Sequence, residues 1–136
     1  MKKKPLLPAG WVKPRGYANG VAVTGTQVYI AGQIGWNEEA RMTSDLFAEQ
    51  ATQALRNVLA VLREAGGKPE HLVRMTWYVT DKRAYLMAAK GIGAAFRELI
   101  GDYDIAMSAV QVVALVEDEA KVEIEATAVI PDGGTR

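Results

Sequence analysis

From Lys121 to Val129 the chain alternates without a break: Val122, Ile124, Ala126 and Ala128 point one way, while Glu123, Glu125 and Thr127 point the other. A period of two over this length fixes a β-strand with one apolar and one polar face. The apolar face demands a hydrophobic cover, so the strand belongs to a sheet with a core on one side. Its other face carries two acids, which must meet solvent, a cleft or a partner subunit. Just upstream, Ser108-Ala109-Val110-Gln111-Val112-Val113-Ala114-Leu115 and a short acidic turn precede it, an arrangement expected to form a closing hairpin.

The remaining elements follow from periodicity and punctuation. Residues 1–19, rich in Pro, Gly and Lys, are expected to be partly irregular, with Trp11 and Tyr17 as the anchors that could pin them. Val21-Ala22-Val23 and Val28-Tyr29-Ile30-Ala31, separated by Thr24-Gly25-Thr26-Gln27, have the spacing of an antiparallel hairpin. Ser44 is the expected N-cap of a first helix, whose apolar stripe of Leu55, Val58, Leu59 and Leu62 runs to a stop at Ala65-Gly66-Gly67. Leu72 to Thr80 has the β-branched and aromatic content of a central strand. Asp81 can cap a second helix striped by Tyr85, Leu86, Ala89, Ile92, Phe96 and Leu99, in which Gly91 and Gly93 are expected to mark close packing on the sheet. The order ββ, α, β, α, ββ predicts a single α+β domain over 1–136, with both helices on one face of a largely antiparallel or mixed sheet.

The 136 residues can bury a core without staples. Cysteine is absent, which excludes thiol redox chemistry and cysteine-ligated zinc. Sixteen basic and sixteen acidic side chains balance, so no strong positive field is available to hold a nucleic acid. The Lys2-Lys3-Lys4 run is read as a solvated tail; no apolar run of signal-peptide length follows it and none later could span a bilayer. The expectation is a cytoplasmic chain with neither membrane nor nucleic-acid partners.

Three stretches resemble a known family: Gly16-Tyr17-Ala18-Asn19-Gly20-Val21, Ala31-Gly32-Gln33-Ile34, and Ala106-Met107-Ser108-Ala109-Val110-Gln111-Val112 running through Val122-Glu123-Ile124-Glu125-Ala126. Their order and spacing resemble the Rid family, the YjgF-like reactive intermediate deaminases, over almost the whole chain. The resemblance implies a chorismate-mutase-like α+β fold, with a six-stranded, mostly antiparallel sheet carrying two helices on one face. It further implies a homotrimer with clefts between subunits, and a cofactor-free hydrolysis of enamines and imines to a carbonyl compound and ammonia. By the same resemblance Glu123 matches the water-activating acid, Tyr17 the tyrosine that closes the cleft, and the Gly32 amide a donor to substrate.

Where the family pattern has an arginine that grips the substrate carboxylate, this chain has Met107 before Ser108. A thioether cannot form the bidentate pair a guanidinium forms, so 2-aminoacrylate is not the expected substrate. The usual cysteine after the serine is Ala109, and an asparagine of some members is Ala89. Met107, Ser108, Ala109 and Trp36 would then line a less polar cleft suited to a ring or acyl chain, for an imine lacking the usual α-carboxylate. Arg15, Arg41 and Arg74 are the candidates for a displaced cation, each also explicable as a solvent-facing arginine. Glu125 shares the facing of Glu123 and could be the cleft acid or an interface partner. Tyr17 could equally pack on Trp11. His71, beside Pro69 and Glu70, reads as a turn residue. The alternative function is a non-catalytic protein that binds a small metabolite in the same cleft.

Overall fold

The computed structural model describes residues 3–101 and 104–132. Six strands and two helices run in the order β1 (Lys4–Pro5), β2 (Val21–Ala22), β3 (Thr26–Gln33), α1 (Phe47–Glu64), β4 (Leu72–Val79), α2 (Lys82–Leu99), β5 (Ala106–Gln111) and β6 (Val122–Ile130), with one 3-10 turn at Pro69–His71 before β4. Four strands form the main sheet in the order β3-β6-β4-β5, and β1 and β2 make a separate antiparallel ribbon. β6 is antiparallel to both neighbours, whereas β4 and β5 are parallel. The result is an α+β fold with both helices on one face of a mixed sheet.

Two expected hairpins are replaced by longer-range pairings. β6 does not fold back on β5; it lies between β3 and β4, with Ile124 opposite Trp77 on one side and Ala126 opposite Ile30 on the other. Central placement gives the alternating strand a partner for both backbone edges, which a terminal hairpin would have left half unpaired. Val21–Ala22 likewise turns from β3 to the N-terminal segment, pairing with Pro5 and Lys4. Gly25 explains the separation, because its Cα is pressed against the Ile130 carbonyl of β6 and the chain passes directly into that pairing. The six strands are thus divided four and two among the described residues.

Alternation along β6 holds as expected, with Val122, Ile124, Ala126 and Ala128 buried and Glu123, Glu125 and Thr127 partly exposed. α1 covers this apolar face through Phe47, Ala51, Ala54, Leu55, Val58, Leu59 and Leu62, the spacing of a single helical stripe. Ser44 is not its N-cap. Leu46 holds that position, and the Ser44 hydroxyl instead accepts the Leu46 amide at 3.0 Å in a local turn. Asp81 does cap α2, accepting the Arg83 amide at 2.9 Å. The glycines of α2 do not mark close packing: a Cβ at Gly91 would meet open space.

The N-terminal segment is more tethered than its composition predicts. Lys3 Nζ donates to the Leu72 and Asp104 carbonyls at 2.8 Å each, and burial lowers its pKa against the raising influence of Asp104 and Glu70. Lys3 and Lys4 are therefore not a solvated tail, and Lys2 lies outside the described residues. No helix among the described residues is long and apolar enough to cross a membrane.

Candidate functional site

The sheet separates the candidate residues onto its two faces. Opposite residues of paired strands share a face, and Met107 stands opposite Met75 while Glu123 stands opposite Tyr78. Met75 is buried under the helices, so Met107 faces α2, and Glu123 faces away from both helices.

On the helix side, Met107 borders a pocket of about 550 Å³ together with Tyr17, Arg15, Trp77, Tyr85 and Arg97. Tyr17 arrives there because the Ala18 amide donates to the Ile105 carbonyl at 2.9 Å and Ala18 bridges Ala106, laying the N-terminal segment along β5. Tyr17 is 45% exposed in this position. Tyr17 lines the same pocket as Met107. Ala109 follows on the same face, opposite Trp77. The wall is aromatic: Tyr85 meets Trp77 edge-on with centroids 6.0 Å apart, and Phe47 at 6.3 Å. Trp77 itself is only 2% exposed, and its indole N–H has no acceptor among the described residues.

On the outer face, Glu123 and Gly32 are brought together. A Cβ on Gly32 would sit 2.0 Å from Glu123 Oε2, so only a bare Cα admits the carboxylate there. Glu125, one step along the same face, is committed elsewhere. The Tyr78 hydroxyl donates to Glu125 Oε1 at 2.5 Å, whereas among the described residues no side-chain hydrogen bond to the Glu123 carboxylate is formed. The Tyr78 pKa is raised, first by that hydrogen bond and then by burial and by the charges of Glu125 and Glu123, with Arg74 opposing. Arg74 and Glu125 border a second hollow of about 400 Å³, alongside Tyr29, Thr76 and Thr127.

Other expected members lie apart in one chain. Ser108 stands opposite Thr76 on the outer face. Trp36 does not share the Met107 pocket: it bridges Met42 and borders a separate hollow with Val116, Glu117, Asp118 and Glu119. The cause is the loop from Asn37 to Arg41, in which the Asn37 amide donates to the Arg41 carbonyl and the Ala40 amide to the Asn37 carbonyl, each at 2.9 Å, turning the chain away from β5. Arg41 lies in that exposed loop, Arg74 on the outer face, and Arg15 alone of the three arginines reaches Met107. His71 Nδ1 accepts the Lys68 amide at 2.9 Å, the turn role expected of it. Among the described residues no cluster of three or more His, Asp or Glu is arranged to hold a metal ion.

Arg97 and Trp77 escaped the sequence reading. Tyr85, Ala89, Gly93 and Arg97 recur every four residues on α2 and all border the pocket. An aromatic ring and a cation separated by two small residues on one helix face is the signal that could have found it.

The family model described as endoribonuclease L-PSP matches residues 12–130. A RutC family protein of Aquifex aeolicus is 36% identical over 83% of this chain and 87% of its own length. The 2-iminobutanoate/2-iminopropanoate deaminase of Salmonella typhimurium is 34% identical over 83% of this chain and 86% of its own. Among solved structures, YyfB of Yersinia pestis, a Rid family protein of unknown function, superposes with a TM-score of 0.80 at 31% identity, covering 96% of this chain and all of that one. Matching sequence over nearly its whole length and matching architecture together show that this chain belongs to the YjgF/Rid family.

Proposed function

We propose that this protein is a hydrolytic deaminase of enamines and imines, acting on a substrate other than 2-aminoacrylate. The observation that carries the reading is the Glu123 carboxylate lodged against the bare Cα of Gly32, with its neighbour Glu125 already occupied by Tyr78. A carboxylate with free lone pairs beside an exposed backbone can hold a water and take its proton. The relatives named 2-iminobutanoate/2-iminopropanoate deaminase support the reaction class.

The chemistry asks for a tautomerisation and then a hydrolysis. An enamine is first protonated at carbon, giving the imine. Water then adds to the imine carbon and passes one proton through Glu123 to nitrogen; the resulting hydroxyl gives up its proton to nitrogen by the same route as the C–N bond breaks, and ammonia and a carbonyl compound leave. Tyr17 would close the site and the Gly32 amide would hold the substrate.

In this reading the site is shared between copies of the chain, because Glu123 and the Met107 pocket lie on opposite faces of one sheet. A homotrimer places the outer face of one copy against the next. Exposed apolar side chains support such an assembly: Tyr29 on the outer face is 73% exposed, and Val110, Val113 and Val116 follow along the β5 edge and beyond it.

The test is Glu123→Ala, assayed against imines generated in place by amino-acid oxidases. Turnover is expected to fall by at least ~100-fold, the usual worth of a positioned acid or base, with the oligomer intact by sedimentation. Full turnover in that variant would dismiss the mechanism. Ligand-induced thermal shifts without hydrolysis in the unmodified protein would favour the metabolite-binding alternative.

A further inference from the structure

The Met107 pocket has the makings of an acid-binding site without the strand arginine. Its floor and walls are Met107, Trp77, Tyr85 and Phe96, a surface that fits the flat face of a ring. At about 550 Å³ it is far larger than a three-carbon imine needs. Two guanidinium side chains border it from different directions, Arg97 from α2 and Arg15 from the N-terminal segment. Arg97 folds back along its own helix, so that a Cβ on Gly93 would lie 3.5 Å from one of its terminal nitrogens. Ala89 and Gly93 leave the space between Tyr85 and Arg97 unfilled.

The second observation is the Trp77 indole N–H. A buried donor without an acceptor costs about 1–3 kcal/mol, so native proteins seldom leave one. The Trp77 ring borders the pocket and also packs in the core shared with α1. A ligand oxygen would satisfy it.

We propose that this pocket binds a ring-bearing carboxylic acid, with the ring against Met107, Trp77 and Phe96, the acid group held by Arg97 and Arg15, and a ligand oxygen accepting from Trp77. The inference deepens the deaminase reading and rests on it for the role of the ligand as substrate or product. It replaces the expectation of a substrate lacking the α-carboxylate, because the anchoring cation moves from β5 to α2 and the N-terminal segment. The class of substrate is then an imine of an aromatic oxo acid, larger than the three-carbon imine whose grip Met107 has lost.

Isothermal titration with phenylpyruvate, its neutral counterpart phenylacetone, and pyruvate tests this directly on the intact protein. Phenylpyruvate is expected to bind at least ~10-fold more tightly than either, since both the ring and the charge-assisted pairs contribute. The double variant Arg15→Gln, Arg97→Gln should weaken phenylpyruvate by ~10-fold or more and leave phenylacetone unchanged. Trp77→Phe keeps an aromatic wall, removes the donor, and should cost the acid about fivefold. Equal binding of acid and neutral ketone, or an acid affinity indifferent to the two arginines, would overturn the assignment; both arginines are exposed, so their removal leaves the core untouched even if Trp77→Phe fails to fold. Turnover of imines without preference for the ring acid removes this inference and spares the deaminase reading. Arginine-dependent binding of phenylpyruvate with no turnover of its imine does the reverse.

Discussion

Two helices of eighteen residues lie on the same face of the sheet, and they are used differently: α1 buries eight side chains, α2 only Ile92. Under α1 even the polar group is closed off. Gln50, 1% exposed, donates to the Ser44 and Glu119 carbonyls at 2.9 and 3.0 Å and accepts the Lys121 amide at 2.8 Å. Gly35 lies directly against it, with no space for a Cβ. Under α2 the comparable buried donor, Trp77, is left without a partner beside an open pocket. Met87 on the same helix is 87% exposed. One half of the molecule is packed for stability, and the other keeps room for a ligand.

The largest expected effect tests this contrast in stability. Leu55→Ala under α1 should cost about 3 kcal/mol in chemical denaturation, as core truncations do. Leu86→Ala on α2 should cost about 0.5 kcal/mol or less. Equal costs would mean that α2 is as integral as α1. Gln50→Leu should follow at about 2 kcal/mol, because it strands two carbonyls and an amide that Gln50 now satisfies. A near-neutral result would show that water replaces the side chain and that the α1 half is looser than described.

Smaller effects probe the outer face, where function rather than packing is at stake. Gly32→Ala should scarcely alter the melting temperature, because the new methyl meets the movable end of Glu123, yet it should lower imine turnover by about tenfold by displacing that carboxylate. Retained turnover would separate Glu123 from Gly32. The least effect is spectroscopic. Tyr78 should lose its proton at a higher pH than an ordinary tyrosine, and Glu125→Gln should return it toward the ordinary value by deleting the first cause of the shift. Because the folded pKa is raised, the stabilisation this pair supplies is full at neutral pH and is lost only as pH climbs through the folded value. A phenolate absorbance titration, with Tyr78→Phe as reference, reads both.

What the sequence made legible was local. The alternation of Val122 to Ala128 and the α1 stripe each repeat a period that one segment alone displays, and both stand in the structure as read. Pairing is a non-local property. Adjacent strands usually pair, and that default misplaced Val21–Ala22 and β6. For the site, family resemblance named Glu123, Gly32, Tyr17 and Met107 but could not say that the sheet divides them. Arg97 went unseen because its neighbours, Ala89 and Gly93, matter by leaving space, and space has no letter of its own.

The position of β6 also sets a schedule for synthesis. It is the strand that joins β3 to β4, yet a ribosome makes it after both of them and after α2 and β5. Until residue 130 has emerged, the nascent chain holds two strand edges facing an empty lane, and α1 has no finished floor to settle on. Sheet closure must therefore wait for contacts between residues about a hundred positions apart, the kind of slow, late step that exposes a chain to sticking before it folds.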